Sequence, residues 1–180
     1  AKYVASTDTW TTAGGSLIGG LLPTTNEDSS YGGTLTSGNA VLTYNHVVAD
    51  APNRALVVFA NASHTGTGSQ SRLPASVTYN GVAMTLVKDA GAGAGGFGRL
   101  CMYVLVNPAV GTNAVVVTYA ADVTIGLAST SVSVYNVDQT TPFSEFSSST
   151  ADSGAALSNA TTNAGVGLTV IGAGAASTTG

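Results

Sequence analysis

Between residues 76 and 143 apolar and polar positions alternate in short runs: SVTYNGVAMTLV, a glycine-rich gap, CMYVLVNPAVGTNAVVVTYA, a short break, and STSVSVYNVDQTTPF. Each run has the period of two and the β-branched, aromatic content of a strand, and each break has turn chemistry. No run carries an apolar stripe at helical spacing. The pattern predicts an all-β chain folded as an antiparallel two-sheet β-sandwich.

Upstream, residues 33–37 and 41–48 are two expected strands joined by Gly38-Asn39, a pair suited to a tight hairpin turn. Asp50-Ala51-Pro52-Asn53 stops the second one, because proline lacks the ladder donor. Residues 54–61 contain ALVVFA, apolar on both faces, which predicts a central strand covered on both sides. After a polar loop at 62–74, Asn80-Gly81 turns a hairpin between 76–79 and 82–88, with Val82, Met84 and Leu86 expected on one face.

Strands at 99–106 and 113–120 flank the connection NPAVGT, and Val115, Val117 and Tyr119 are expected to face one way. In 124–137, Val132 and Val134 are set against Ser131 and Ser133, which predicts one core face and one solvent face. A low-complexity Ser/Thr/Ala stretch follows at 147–163, then a last apolar element at 166–171. The expected division is an extended N-terminal arm, 1–30, and a single sandwich domain, 31–180, with no closing C-terminal strand expected within it. An arm carrying Trp10, Leu17, Ile18, Leu21 and Leu22 must bury them along its own domain or on a neighbouring subunit, so these residues are the candidate inter-subunit tie. An added strand on its own sheet is the alternative for this segment.

Composition changes the picture in one respect. Only 8% of the residues are charged, against about 25% in ordinary soluble domains, so Ser, Thr, Asn and Gly supply the hydrophilic surface. A net charge of −4 gives copies of the chain little mutual repulsion, and close packing of many copies is cheap. Lys2, Arg54, Arg72, Lys88 and Arg99 are scattered, with no basic stripe for a row of phosphates, which argues against nucleic acid and anionic membrane as partners. Residues 17–22 are too short and glycine-broken to span a bilayer. Cys101 is the only cysteine, and its place in CMYVLV predicts an inert buried thiol.

The ordered signatures VTYNGVAMTLV, YVLVNPAVGTNAVVVTY and SVSVYNVDQTTPF resemble a β-sandwich domain, jelly-roll or lectin-like, that recurs in phage structural or tail-associated proteins and in bacterial secreted surface proteins. The match runs over about residues 54–171. The resemblance implies use in assembly or adhesion, and no catalytic motif comes with it. Members of that family usually add a further apolar strand after a segment like GVGLTVIGAG, so the expectation here is either a fragment or that pairing supplied by a neighbour or by the N-terminal arm.

Chemistry-bearing residues are sparse. A serine hydrolase needs a nucleophile, a histidine base and an orienting acid, yet the only histidines are His46 and His64 and there is no G-x-S-x-G. His46, in a strand, is expected in a satisfied structural role, and His64 in solvent. Gly91, Gly93 and Gly96 form a G-x-G-x-x-G, but a strand pattern follows where a dinucleotide site needs a helix. Asp50, Asp89, Asp122 and Asp138 fall where turn bonding explains them. The set Asn26-Glu27-Asp28 with Asp138 offers oxygen ligands for Ca²⁺ but lacks a recognised loop signature. No cofactor, catalytic or metal site is assigned. Aromatic faces stack on sugar rings, and Trp10, Tyr31, Phe97 and Phe143 are the candidates for glycan contact.

The leading expectation is a non-enzymatic structural protein displayed in many copies on a virion or similar extracellular assembly, as a capsid decoration, spike or tail component. Its partners would be copies of itself and other assembly proteins, with a host-surface glycan as a further one. The rival is a carbohydrate-binding module of a secreted bacterial surface protein, and a glycan-cleaving enzyme trails because no carboxylate pair is evident.

Overall fold

The computed structural model describes residues 11–12, 15–16, 24–36, 41–63, 73–92, 98–120 and 126–143. Within them the chain is all-β and contains no helix. Thr11–Thr12 (β1) and Gly15–Ser16 (β2) form a two-residue ladder. The sandwich is built from Thr24–Thr36 (β3), Val41–Val48 (β4), Ala55–Ser63 (β5), Ser76–Tyr79 (β6), Val82–Ala83 (β7), Thr85–Ala92 (β8), Gly98–Val106 (β9), Gly111–Thr118 (β10) and Gly126–Tyr135 (β11). One sheet has the order β4-β10-β6-β7 and the other β3-β11-β5-β9-β8, with every pairing antiparallel.

Strand β5 is the centre of the larger sheet, and its sequence explains why. Leu56, Val58, Ala60 and Ala62 point into the space between the sheets, where they join Leu42, Val77, Tyr79, Val115 and Val117. Val57 and Phe59 point the other way into a second cluster with Val104, on which Phe143 packs from the segment after β11. Both faces of the strand are therefore buried, as its unbroken apolar run predicts. On β10, Val115 and Val117, followed by Tyr119, all turn inward, also as expected.

Four expectations are corrected. Residues 33–37 and 41–48 do not form a hairpin: β3 pairs with β11, while β4 pairs with β10 in the opposite sheet, so the chain crosses between sheets there. A Gly-Asn pair specifies a reversal but not whether the next strand returns beside the first. Residues 24–30, assigned to the arm, belong to edge strand β3, so the alternative of an added strand on its own sheet holds for them. Trp10, Leu17, Ile18, Leu21 and Leu22 lie outside the described residues, as do the low-complexity stretch and the last apolar element.

The strand expected at 82–88 is split at Met84: β7 pairs with β6 in one sheet and β8 with β9 in the other. Met84 is buried at this corner, its N–H donating to Val77 O at 2.9 Å, while Val82 and Leu86 are exposed rather than sharing its face. Finally, it is the serine face of β11 that looks inward. Ser129, Ser131 and Ser133 stand opposite Ala60, Val58 and Leu56 and are buried, while Val132 lies beside Val57 on the outer side.

The turns at one end are tightly held. Asn53, Asn80, Asn107 and Asn136 are the positive-φ non-glycine residues, and asparagine tolerates that region best after glycine. Asn80-Gly81 has φ of 49° and 75°, the hairpin geometry its sequence calls for. The connections at the opposite end, 37–40, 64–72, 93–97 and 121–125, lie outside the described residues.

Leu56 is fully buried and Val82 is 53% exposed, so their truncations separate core from surface. In denaturant melts Leu56→Ala is expected to cost about 2–5 kcal/mol and Val82→Ala less than about 0.5 kcal/mol. Equal losses would contradict the inward assignment of β5.

Candidate functional site

The most concentrated chemistry among the described residues is a polar seam between the sheets. His46, on the inward face of β4, is fully buried. Its Nδ1 lies 2.9 Å from Ser131 Oγ and its Nε2 2.5 Å from Ser133 Oγ. Serines two apart on a strand project from one face about 6.8 Å apart, and an imidazole with a nitrogen on either side of its ring reaches both. In a neutral ring one nitrogen donates and the other accepts, so one serine accepts and its neighbour donates. Next to this pair, Ser129 donates to Phe59 O at 2.9 Å, so the Tyr44 hydroxyl at 2.9 Å must donate to Ser129. Burial raises the Tyr44 pKa and keeps that donor protonated.

A serine–histidine pair invites a catalytic reading, and the geometry decides against it. His46, Ser131 and Ser133 have no solvent exposure, and a nucleophile must meet its substrate. The seam is a cross-sheet clamp, the satisfied structural role expected for His46. His64 lies outside the described residues.

Tyr79 extends the clamp toward the ordered turns. Its ring meets His46 edge-on, centroids 6.4 Å apart. Its hydroxyl accepts from Asn113 Nδ2 at 3.1 Å and lies 3.1 Å from both Ala109 O and Gly111 O and 3.4 Å from His46 O, one of which takes its single proton. Arg54, read from sequence as one of several scattered cations, ties the neighbouring turns together. Its guanidinium donates to Pro108 O at 2.7 Å and Ala51 O at 3.2 Å, and its backbone carbonyl accepts from Asn107 N and Gln139 Nε2. An arginine set between turn residues and a strand start was the available signal.

At the β8–β9 edge, Arg99 and Asp89 form a two-point ion pair, with Nε to Oδ1 at 2.8 Å and Nη2 to Oδ2. Asp89 is therefore a strand residue with a cationic partner, not the turn residue expected. Cys101 beside it is buried, as expected, and burial with the nearby carboxylate pushes its thiol up to about 11. Burial likewise pushes Tyr103 up to about 12 and raises Tyr119, whose hydroxyl has no hydrogen-bond partner. Asp138 does cap its own turn, accepting from Thr140 N and Thr141 N at 2.7 and 2.8 Å, and those bonds lower its pKa. Among the described residues no group of three or more His, Cys, Asp or Glu side chains could hold a metal ion.

Of the candidate glycan contacts, Trp10 and Phe97 lie outside the described residues. Tyr31 stands opposite Thr130 in the β3–β11 register. Phe143 is half-buried against the outer cluster of the larger sheet.

The surface with the clearest capacity for contact is the outer face of the four-stranded sheet. From β4 it presents Val41, Thr43, Asn45 and Val47, all exposed. Their partners on β10 are Thr118, Val116, Ala114 and Thr112, and Thr78 and Ser76 on β6 complete the face. None of these side chains is charged, and Val41 and Val47 are 46% and 41% exposed. This face mixes methyl, hydroxyl and amide groups and carries no charge, so its polarity comes from Thr, Ser and Asn alone. In comparisons with known proteins, the chain matches no family model, no curated protein and no solved structure.

Two predictions follow from the buried groups. Ser133→Ala removes a buried hydrogen bond to the imidazole and is expected to cost about 1–3 kcal/mol in denaturant melts, whereas removing the whole set in His46→Leu/Ser131→Ala/Ser133→Ala costs less than the sum of its parts. Additive losses would contradict the clamp. Because the Cys101 and Tyr103 pKa values are raised on folding, the native state keeps protons that the unfolded chain gives up. Their contribution is thus complete below about pH 9 and is lost as pH rises through about 11 and then 12. Urea melts should show stability declining above pH 9, with the earlier part of the decline removed in Cys101→Ala; a flat profile would count against their burial.

Proposed function

We propose that the protein is a non-enzymatic structural building block, present in many copies in a virion or similar extracellular assembly as a capsid decoration, spike or tail component. The observation that carries this reading is that, among the described residues, the outer face of the four-stranded sheet is uncharged and exposes Val41 and Val47. Burying a charged surface against a neighbour requires each charge to be paired or desolvated, and this face imposes no such cost. The low overall charge acts in the same direction. The sealed state of the only serine–histidine pair among the described residues favours a structural role over a hydrolytic one.

Within that role we assign the fold to the jelly-roll type. The support is the strand order: β11 inserts between β3 and β5, and β10 between β4 and β6, so late strands return beside early ones in each sheet. The segment 82–92 bends from one sheet to the other at Met84, joining the two halves.

Glycan binding is the second reading. Among the described residues the outer face carries no aromatic side chain on which a sugar ring could stack, so it favours protein neighbours over carbohydrate.

The test is the mass of the purified chain by light scattering and electron microscopy under native conditions. A symmetric particle, filament or concentration-dependent oligomer is expected, with deletion of residues 1–22 releasing subunits. A monomer at every concentration, whose melting temperature rises with a polysaccharide as ligand linkage requires, would replace assembly with glycan binding.

A further inference from the structure

Both margins of the sandwich are closed. Strand β3, at the edge of the larger sheet, lies close alongside β4, and at the other margin β7 runs through the corner at Met84 into β8. The outer faces of the two sheets are less alike. Val116 faces outward from β10, between β4 and β6, and is half-buried. Val57 holds the equivalent place on β5, between β11 and β9, and is 0% exposed. Phe59 and Val104 beside it are 6% and 5% exposed, and Val87, Leu100, Met102 and Val106 around them are half-buried. The outer face of a sheet reaches such burial only under a further layer of chain.

Part of that layer is in place. After β11, Asn136 N donates to Pro52 O, Val137 N to Asn53 O and Gln139 Nε2 to Arg54 O, so the chain turns back over the start of β5. Phe143 then lies on the cluster, and among the described residues it is the one member that is not on a strand. A single half-buried ring cannot seal this patch, because the row Leu100-Met102-Val104-Val106 alone runs about 20 Å along β9.

We propose that the rest of this face is covered by the chain's own apolar run, residues 166–171, seated across β5, β9 and β8. The run follows Phe143, which already carries the chain onto the cluster, and it has no charge to desolvate. Fully extended, its six residues span about 20 Å, the length of the β9 row. Val166, Leu168 and Val170 then fall on one side at the spacing of that row, with Gly167, Thr169 and Ile171 on the reverse side. The apolar run 17–22 is the poorer fit: Leu17-Ile18 and Leu21-Leu22 are adjacent pairs, which an extended chain splits between two sides. It also leads into β3, at the opposite edge of the sheet from β8. The seat does not depend on the multi-copy reading, but it bears on it. With this face sealed by the chain itself, contact with neighbours falls to the four-stranded sheet.

The test uses the full chain with labelled Met and Leu methyl groups. Of the two methionines, Met84 belongs to the inner core and Met102 to the outer cluster. A nuclear Overhauser contact from the Met102 methyl to Leu168 is expected, lost in Leu168→Ala and absent when Met-labelled and Leu-labelled chains are prepared separately and refolded together. Oxidation by dilute peroxide gives a second readout. In Leu168→Asp/Val170→Asp the Met102 rate rises toward that of free methionine while Met84 stays slow, and Thr169→Asp, on the reverse side of the run, changes neither. Met102 contacts to Leu17, Leu21 or Leu22 in place of Leu168 overturn the assignment in favour of the N-terminal run. A Leu168 contact that persists between separately labelled chains overturns it in favour of a second copy. No contact to Leu168, with Met102 oxidation unchanged in the double variant, overturns it outright.

Discussion

The two sheets are held in alignment by one buried polar constraint. His46 enters the core from β4 and finds hydroxyls of Ser131 and Ser133 on either side of its ring. Apolar packing alone tolerates sliding, because valine and leucine accept many neighbours at similar cost. A buried imidazole does not, since a nitrogen left without a partner loses its hydration with nothing in return. A shift of β11 by one residue would replace the serine hydroxyls with Val132 and Val134. The seam therefore selects both the register of β11 and the relative position of the sheets, and Tyr44–Ser129 extends that selection along the interface.

From this alignment the rest of the surface follows. With His46 turned inward, Val41, Thr43, Asn45 and Val47 must turn outward, and the uncharged face is a consequence of the same alternation. Arg54 and the positive-φ asparagines close the turns at one end, so the strands are fixed in length and position there. The corner at Met84 brings the short β7 to one margin of the small sheet and leaves β4 at the other. The features that favour association are thus properties of how the core is filled, not decorations added to it.

Much of this was legible in the sequence, and the exceptions have physical reasons. ALVVFA announced a strand buried on two faces, and Asn80-Gly81 announced its turn, because both signals are local. The inward phase of β11 was not legible because alternation gives a period without saying which phase points inward. Serine is small and polar enough to pass for surface, and only a partner on another strand, His46, makes it a core residue. The hairpin expected at Gly38-Asn39 failed for a related reason: turn chemistry does not choose between neighbouring in one sheet and crossing to the other. The switch at Met84 was hidden because the apolar period runs through it unchanged. Arg54 looked like an isolated charge, since its acceptors are backbone carbonyls that every sequence possesses.

The most direct test of the central claim is solution NMR of the His46 ring. The clamp predicts contacts from its ring protons to the β-protons of Ser131 and Ser133, with one ring nitrogen protonated and held from exchange with water. Ring protons that contact only β4 and β10, with an N–H exchanging at the rate of an exposed histidine, would contradict it.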